Sequence, residues 1–405
     1  QGDQIMYSFL LVIIYMAFIS LGLPDSLLGS AWPVMHQQLN VPISYAGIVS
    51  MIISGGTIVS SLMSDRVTRR LGAGLVTAIS VLSTAVALFG FSVSRSFILL
   101  CFWAIPYGLG AGAVDAALNN YVALHYASRH MSWLHCFWGV GATISPHIMS
   151  YCLTSGYGWN SGYRSVSLIQ IALTTILFAS LPLWQRSNRA AGSSGNRAAA
   201  LSLPQALRIP GVKFVLFTFF SYCALETTTG LWASTYLVKF RGVDSEIAAR
   251  FASLFYMGIT FGRFLSGFIA DKLGDKRLIR LGITIVLCGI VMVAIPGVSN
   301  LISLAGLVII GLGCAPIYPS IIHSTPFNFG EENSQAIIGI QMASAYVGST
   351  FMPPVFGFIA DKISVGLYPK YLMLFGILMF TMSEMLNRVV AAREEELVVS
   401  GSSGV

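Results

Sequence analysis

Long apolar runs separated by short polar breaks make up most of the 405-residue chain. They fall near residues 5–32, 43–64, 74–93, 97–124, 132–154, 163–184, 211–238, 247–270, 278–296, 300–322, 335–360 and 369–391. A helix rises about 1.5 Å per residue, so runs of this length can cross a bilayer. The pattern predicts an all-α membrane protein with twelve transmembrane helices. Hydrophobic residues at 55%, charged residues at 10% and a mean hydropathy of +0.75 place the chain outside the range of soluble domains. The first run is too long for a signal-peptide core and reads as a span in its own right.

One polar stretch is long, Gln185 to Pro210, rich in Arg, Ala, Ser and Gly. It reads as a flexible cytoplasmic linker between a bundle over 1–184 and a second over 211–391, with a polar tail at 392–405 set aside from the fold. The two halves repeat. Asp65 and Asp271 are 206 residues apart, Gly141 and Pro146 recur as Gly348 and Pro353 at an offset of 207, and Asp25 and Gly29 recur as Glu226 and Gly230 at 201. A duplicated six-helix unit follows, giving two bundles related by internal pseudo-symmetry.

A net charge of +7 does not gather into a patch for nucleic acid. With both termini placed inside, fifteen of the 23 basic residues fall on inner positions, seven on outer loops, and Arg263 lies within a span. That bias predicts a multi-pass protein of the cell membrane with cytoplasmic termini. The expected surroundings are the lipid bilayer, with the chain a monomer.

The six cysteines sit singly in apolar runs, and the six histidines form no metal-binding spacing. No phosphate-cradling GxxxxGK[ST] stretch occurs. Neither a nucleophile with its base nor a metal cluster stands out, so an integral-membrane enzyme is not expected, and no cofactor is. What does stand out is acid inside apolar runs: Asp25, Asp115 and Glu226. A carboxylate at the middle of a spanning helix costs roughly 2.5–3.5 kcal/mol, so it faces water, a partner or a proton. A buried hydrogen bond or ion pair that merely orders the bundle is the competing reading. Arg263 is the one obvious intramembrane base and groups with the gate-like end of its run.

Helical spacing aligns Gly108, Gly112, Asp115 and Asn119 on one face, His135, Gly139, Ala142 and Pro146 on another, and Tyr222, Glu226, Thr229, Ala233 and Tyr236 on a third. Each is expected to face a cavity, except that close helix packing is the better reading of Gly108, Gly112 and Gly139. Recognition of a hydroxyl-rich polar solute needs amide, carboxyl and hydroxyl groups beside aromatic faces. Asn119, Asn120, His135, Trp138, Glu226, Trp232, Tyr236, Gln341 and Tyr346 are the candidates.

The stretches around Asp65, Arg66 and Arg70, and around Asp271, Lys272 and Arg277, resemble the loop signature of the major facilitator superfamily. The first is degraded, with Ser61 and Thr68 in place of its glycines. Within that superfamily, Pro24–Asp25, the run from Gly108 to Asn119 and the run from Leu134 to Ala142 resemble the fucose permease-like sugar:proton symporters. Asp115 stands where that group often has Glu, and His135 and Trp138 where it usually has amides. The resemblance implies alternating access driven by protons. Asp25, Asp115 and Glu226 would carry coupling, and the loop charges together with Arg263 would act as gates. A carboxyl out of water can exchange its proton near neutral pH and link solute binding to a proton gradient. An exporter of drugs or amphipathic solutes on the same fold is the main rival, and a non-transporting membrane receptor the rival from another class.

Overall fold

The computed structural model describes residues 2–190, 201–295 and 299–402. Among these there is no strand, and sixteen α-helices follow in order. The first half holds α1 (Gly2–Asp25), α2 (Leu27–Gln38), α3 (Ala46–Leu71), α4 (Ala73–Val93), α5 (Phe97–His125), α6 (Ser128–Thr154), α7 (Gly158–Ala179) and α8 (Leu181–Ala190). The second holds α9 (Leu203–Arg208), α10 (Val212–Lys239), α11 (Ser245–Leu273), α12 (Asp275–Ala294), α13 (Asn300–Cys314), α14 (Ile317–Phe329), α15 (Glu331–Lys362) and α16 (Tyr368–Ser402).

Ten stretches are long and apolar enough to cross a membrane, with α1–α2 and α13–α14 each counted as one broken span. The remaining long helices, α6 and α15, have 27 and 32 residues but carry more polar side chains. With them the spans number twelve, as the apolar pattern predicts. Large apolar side chains such as Ile98, Met257, Phe358 and Leu374 stand exposed on outer faces, where lipid rather than water is the solvent.

The chain divides into two compact units. The first comprises residues 1–121 and 134–200, and the second 122–133 and 201–405, so the junction of α5 and α6 belongs with the second unit. In the first, Leu27, Trp32, Leu88, Phe91, Met149 and Tyr163 form a core joining α2, α4, α6 and α7. In the second, α10 packs on α15 and α16, and α12 on α13.

Glycine contacts show the internal repeat in three dimensions. A side chain at Gly141 of α6 would run into Ile19 O and Leu23 N of α1, and one at Gly348 of α15 into Phe220 O and Ala224 N of α10. The struck residues are offset by 201 and the glycines by 207. Likewise Gly108 of α5 abuts Ile53 of α3, as Gly311 of α13 abuts Phe255 of α11. Gly108 and Gly112 are thus helix-packing glycines, as close backbone approach requires. Gly29 and Gly230 are not equivalent, for nothing lies within 4 Å of the first while Tyr256 Oη covers the second.

That asymmetry has a local cause. Pro24 has no N–H to give Ser20 O, and the first span breaks at Ser26 into α1 and α2, whereas α10 runs unbroken past Gly230. The carbonyl freed at Ser20 accepts Gln170 Nε2 from α7 at 2.5 Å, and Gln170 Oε1 in turn accepts Thr84 Oγ1 at 3.1 Å.

Two expected polar segments are more regular than their composition suggested. The stretch from Gln185 to Pro210 is helical at both ends, in α8 and in α9, which opens with a Ser202–Gln205 capping box. Its residues 191–200 lie outside the described residues. The tail expected over 392–405 instead continues α16 to Ser402, because Ala, Glu and Leu are good helix formers extending an existing helix.

Candidate functional site

In the first unit, the breaks at Pro24 and Ser26 leave Asp25 at the very end of α1, where its side chain is exposed. Tyr107 Oη donates to its Oδ1 and Trp138 Nε1 to its Oδ2, both at 3.0 Å. Trp138, a candidate for solute binding, ties α6 to the acid of α1 through its N–H. Tyr107 gives no sequence signal, being one aromatic among many in its run.

A second cluster lies beside it. Asn119 Nδ2 donates to both Asp115 Oδ1 at 2.8 Å and Asp115 O at 3.0 Å, and His135 Nε2 lies 3.1 Å from Asn119 Oδ1. With the amide nitrogen committed to two acceptors, the amide oxygen must accept, so Nε2 of His135 carries a hydrogen. All three side chains are buried, and Phe18 meets the imidazole edge-on at 5.4 Å. Asn120 is buried one residue on. His135 and Trp138, one turn apart on α6, therefore bring the Asp115 and Asp25 clusters side by side.

In the second unit, Glu226 Oε1 lies 3.8 Å from Arg263 Nη2, which also approaches Tyr222 Oη at 3.5 Å. Arg263 had been grouped with the loop charges; it lies two turns deeper in α11, beside the intramembrane acid, and Glu226 is not without a base. The rest of the α10 stripe turns inward. Thr229, Ala233 and Tyr236 are buried, Tyr236 Oη donates to Val293 O at 3.2 Å, and the Tyr236 ring lies 5.0 Å from that of Tyr368. The reason is that a 28-residue helix with neighbours on several sides buries most of its circumference. Trp232 donates to Pro353 O at 3.0 Å, joining α10 to α15, while Gln341 is fully buried against Thr325 and Tyr346 is half-buried.

The loop signatures differ in detail. Asp65 is buried and pairs at 2.7 Å with Arg69, one turn along α3, while Arg66 and Arg70 stand exposed. The buried Ser61 sits against Gly112 in the place of the signature's first glycine, its Oγ 3.5 Å from Gly112 O. In the second unit, Asp271 accepts the backbone N–H of Arg129 at 3.1 Å, capping the start of α6, with Arg129 Nε at 3.4 Å. Lys272 and Arg277 are exposed. Gly267, the leading glycine, makes room for the Trp133 indole, whose N–H donates to Phe264 O. A further cluster escaped the sequence: Asp275 accepts Ser128 Oγ at 2.5 Å and lies 2.6 Å from His323 Nδ1, while His323 Nε2 lies 3.1 Å from Tyr126 O. The spacing of these residues, 48 positions for Asp275 and His323 and well over a hundred for the other two pairs, hides it.

Twelve spans with carboxyls, an imidazole and a guanidinium on their inner faces define a multi-pass membrane transporter. The chain belongs to the major facilitator superfamily, whose sequence profile matches residues 14–353. The glucose/mannose transporter GlcP of Bacillus subtilis is 20% identical over 75% of this chain and 77% of that protein. The cis,cis-muconate transport protein of Acinetobacter baylyi is 24% identical over 82% of each. Among solved structures, the proton:xylose symporter XylE superposes with a TM-score of 0.77 at 12% identity, covering 96% of this chain and 97% of that one. The transporter FucP in its outward conformation gives 0.74 at 14%, covering 94% and 99%. At these identities the structural likeness speaks for the fold.

Proposed function

We propose that the protein is a proton-coupled symporter of a sugar or a similar small polar solute, working by alternating access in the cell membrane with both termini cytoplasmic. The observation that carries this reading is the pair of adjoining polar clusters in the first unit. Asp25 is exposed and accepts from two neutral donors, Tyr107 and Trp138, so it can gain or lose a proton without breaking an ion pair. Asp115, Asn119 and His135, one helix turn away, offer the acceptors and donors that solute hydroxyls need. Within the second unit, Glu226 and Arg263 form a charged pair of their own. The two halves, joined through 185–210, are the moving bodies, with the loop carboxylates Asp65 and Asp271 as gates.

Sugar specificity in GlcP and in the proton:xylose symporter supports the solute class, and the latter's coupling ion supports protons. The test is uptake into proteoliposomes under an imposed proton gradient, with external alkalinisation recorded as solute enters. Uptake indifferent to a protonophore would rule out coupling; saturable flux of amphipathic cations but no sugar would favour the exporter instead.

A further inference from the structure

Arg263 is buried to 4% exposure in the membrane-spanning part of α11, yet its guanidinium is poorly used. Nη2 has Tyr222 Oη at 3.5 Å and Glu226 Oε1 at 3.8 Å, both beyond an ordinary N–H···O bond of about 2.7–3.2 Å. Nε is shut away from solvent and makes no hydrogen bond. The Tyr318 ring lies 5.9 Å from the guanidinium carbon.

The same chain shows what a structural pair looks like. Arg69 meets Asp65 at 2.7 Å, and Arg280 grips both oxygens of Glu384 at 2.6 and 2.7 Å, although both of these arginines are more exposed than Arg263. A pair meant only to order the helices has every reason to close where the dielectric is low, because a buried guanidinium with unfilled donors is expensive. Nε and Nη2 lie on one edge of the planar fork, the edge that a carboxylate takes side-on through two parallel bonds. Here that edge is loosely held at one end and makes no hydrogen bond at the other. Glu226 is the more open member, its side chain 20% exposed against 5% for Arg263, so an incoming group meets it first.

We propose that Arg263 is a solute-binding residue whose Nε–Nη2 edge takes the carboxylate of a small polyhydroxylated acid, a sugar acid, in place of Glu226. The inference rests on the reading of the protein as a carrier of sugar-like solutes and narrows it. A phosphate ester fits less well, since it brings nearly two negative charges to a site holding one cation and a second anion. When the solute carboxylate displaces Glu226, a proton on Glu226 leaves the charge of the site unchanged, so solute and proton enter together.

The purified full-length protein is tested by thermal shift and competition with matched pairs: glucose against glucuronate and gluconate, galactose against galacturonate. The wild type should bind each acid about tenfold or more tightly than its neutral parent, the worth of one charge-assisted hydrogen bond. Arg263→Gln should erase that preference and Arg263→Lys should keep part of it, each read as the ratio of acid to parent affinity within the one variant. Equal affinity of the wild type for acid and parent, or an acid preference surviving in Arg263→Gln, overturns the proposal. Because the wild-type panel needs no variant, misfolding of the Arg263 variants leaves it decisive. Neutral sugars transported without any acid preference would sink this inference alone; no response to either, with flux of other solutes, would sink the broader reading with it.

Discussion

Trp138 on α6 donates its indole N–H to Asp25 at the end of α1, 3.0 Å away. The acid is thereby fixed in place by a neutral group while remaining exposed, an arrangement that permits both protonation states. Asp25→Asn keeps the shape and removes only the proton exchange. It should retain solute exchange between equal concentrations across a vesicle membrane and lose accumulation driven by a proton gradient. Parallel loss of both activities in Asp25→Asn would assign Asp25 to solute binding.

Asn119 has the reverse character, since it is wholly buried and shared between Asp115 and His135. Asn119→Leu removes its hydrogen bonds with Asp115 Oδ1 and His135 Nε2, each worth about 0.5–1.5 kcal/mol. A lower melting temperature and a loss of solute affinity of at least about tenfold are expected together. Asp115→Ala should also abolish binding, measured by isothermal titration on folded protein.

The repeat predicts matched damage at matched glycines. Gly141→Val thrusts a side chain into the backbone of α1, and Gly348→Val does the same to α10. Each should cost about 1–3 kcal/mol, as overpacking does. Gly47→Ala, where nothing lies within 4 Å, is the control and should leave the melting temperature almost unmoved.

Gln170 supports α1 from α7 by answering the carbonyl that Pro24 leaves free. Gln170→Leu keeps the volume but orphans Ser20 O and Thr84 Oγ1 loses one acceptor, so a destabilisation of about 1–3 kcal/mol follows. Restoring a residue with an N–H at position 24, in Pro24→Ala with Gln170→Leu, should recover much of it. Thermal unfolding of the single and double variants measures the coupling.

His323 binds the α5–α6 junction to α12 through Asp275 and Tyr126 O. His323→Leu should speed amide hydrogen exchange at the start of α6, around Ser128 and Met131, more than in α7. Unchanged exchange there would show that Arg129 and Asp271 suffice to hold the junction.

Residue periodicity was enough to read the twelve spans, since a bilayer demands about twenty apolar residues from each crossing and tolerates charge only where it is used. The same demand exposed Asp25, Asp115 and Glu226 as the acids worth attention, and numerical offsets such as that between Gly141 and Gly348 revealed the duplication before any coordinates. The breaks at α1–α2 and α13–α14 were not read from the sequence, where each stretch stands as one continuous apolar run. Partnership was another matter. Arg263 lies 37 positions after Glu226, and His323 nearly two hundred after Tyr126, so nothing in linear spacing says that either pair meets.

One-dimensional order therefore determined which segments must lie in lipid and which side chains are too costly to be there without purpose, because both follow from transfer energies summed along the chain. Only the tertiary structure decided that Trp138 serves Asp25, that Tyr236 is interior packing, and that Arg263 stands half-engaged beside Glu226. Those outcomes depend on how helices rotate about their axes and how closely small residues let them approach, quantities set by packing between distant segments rather than by any one of them.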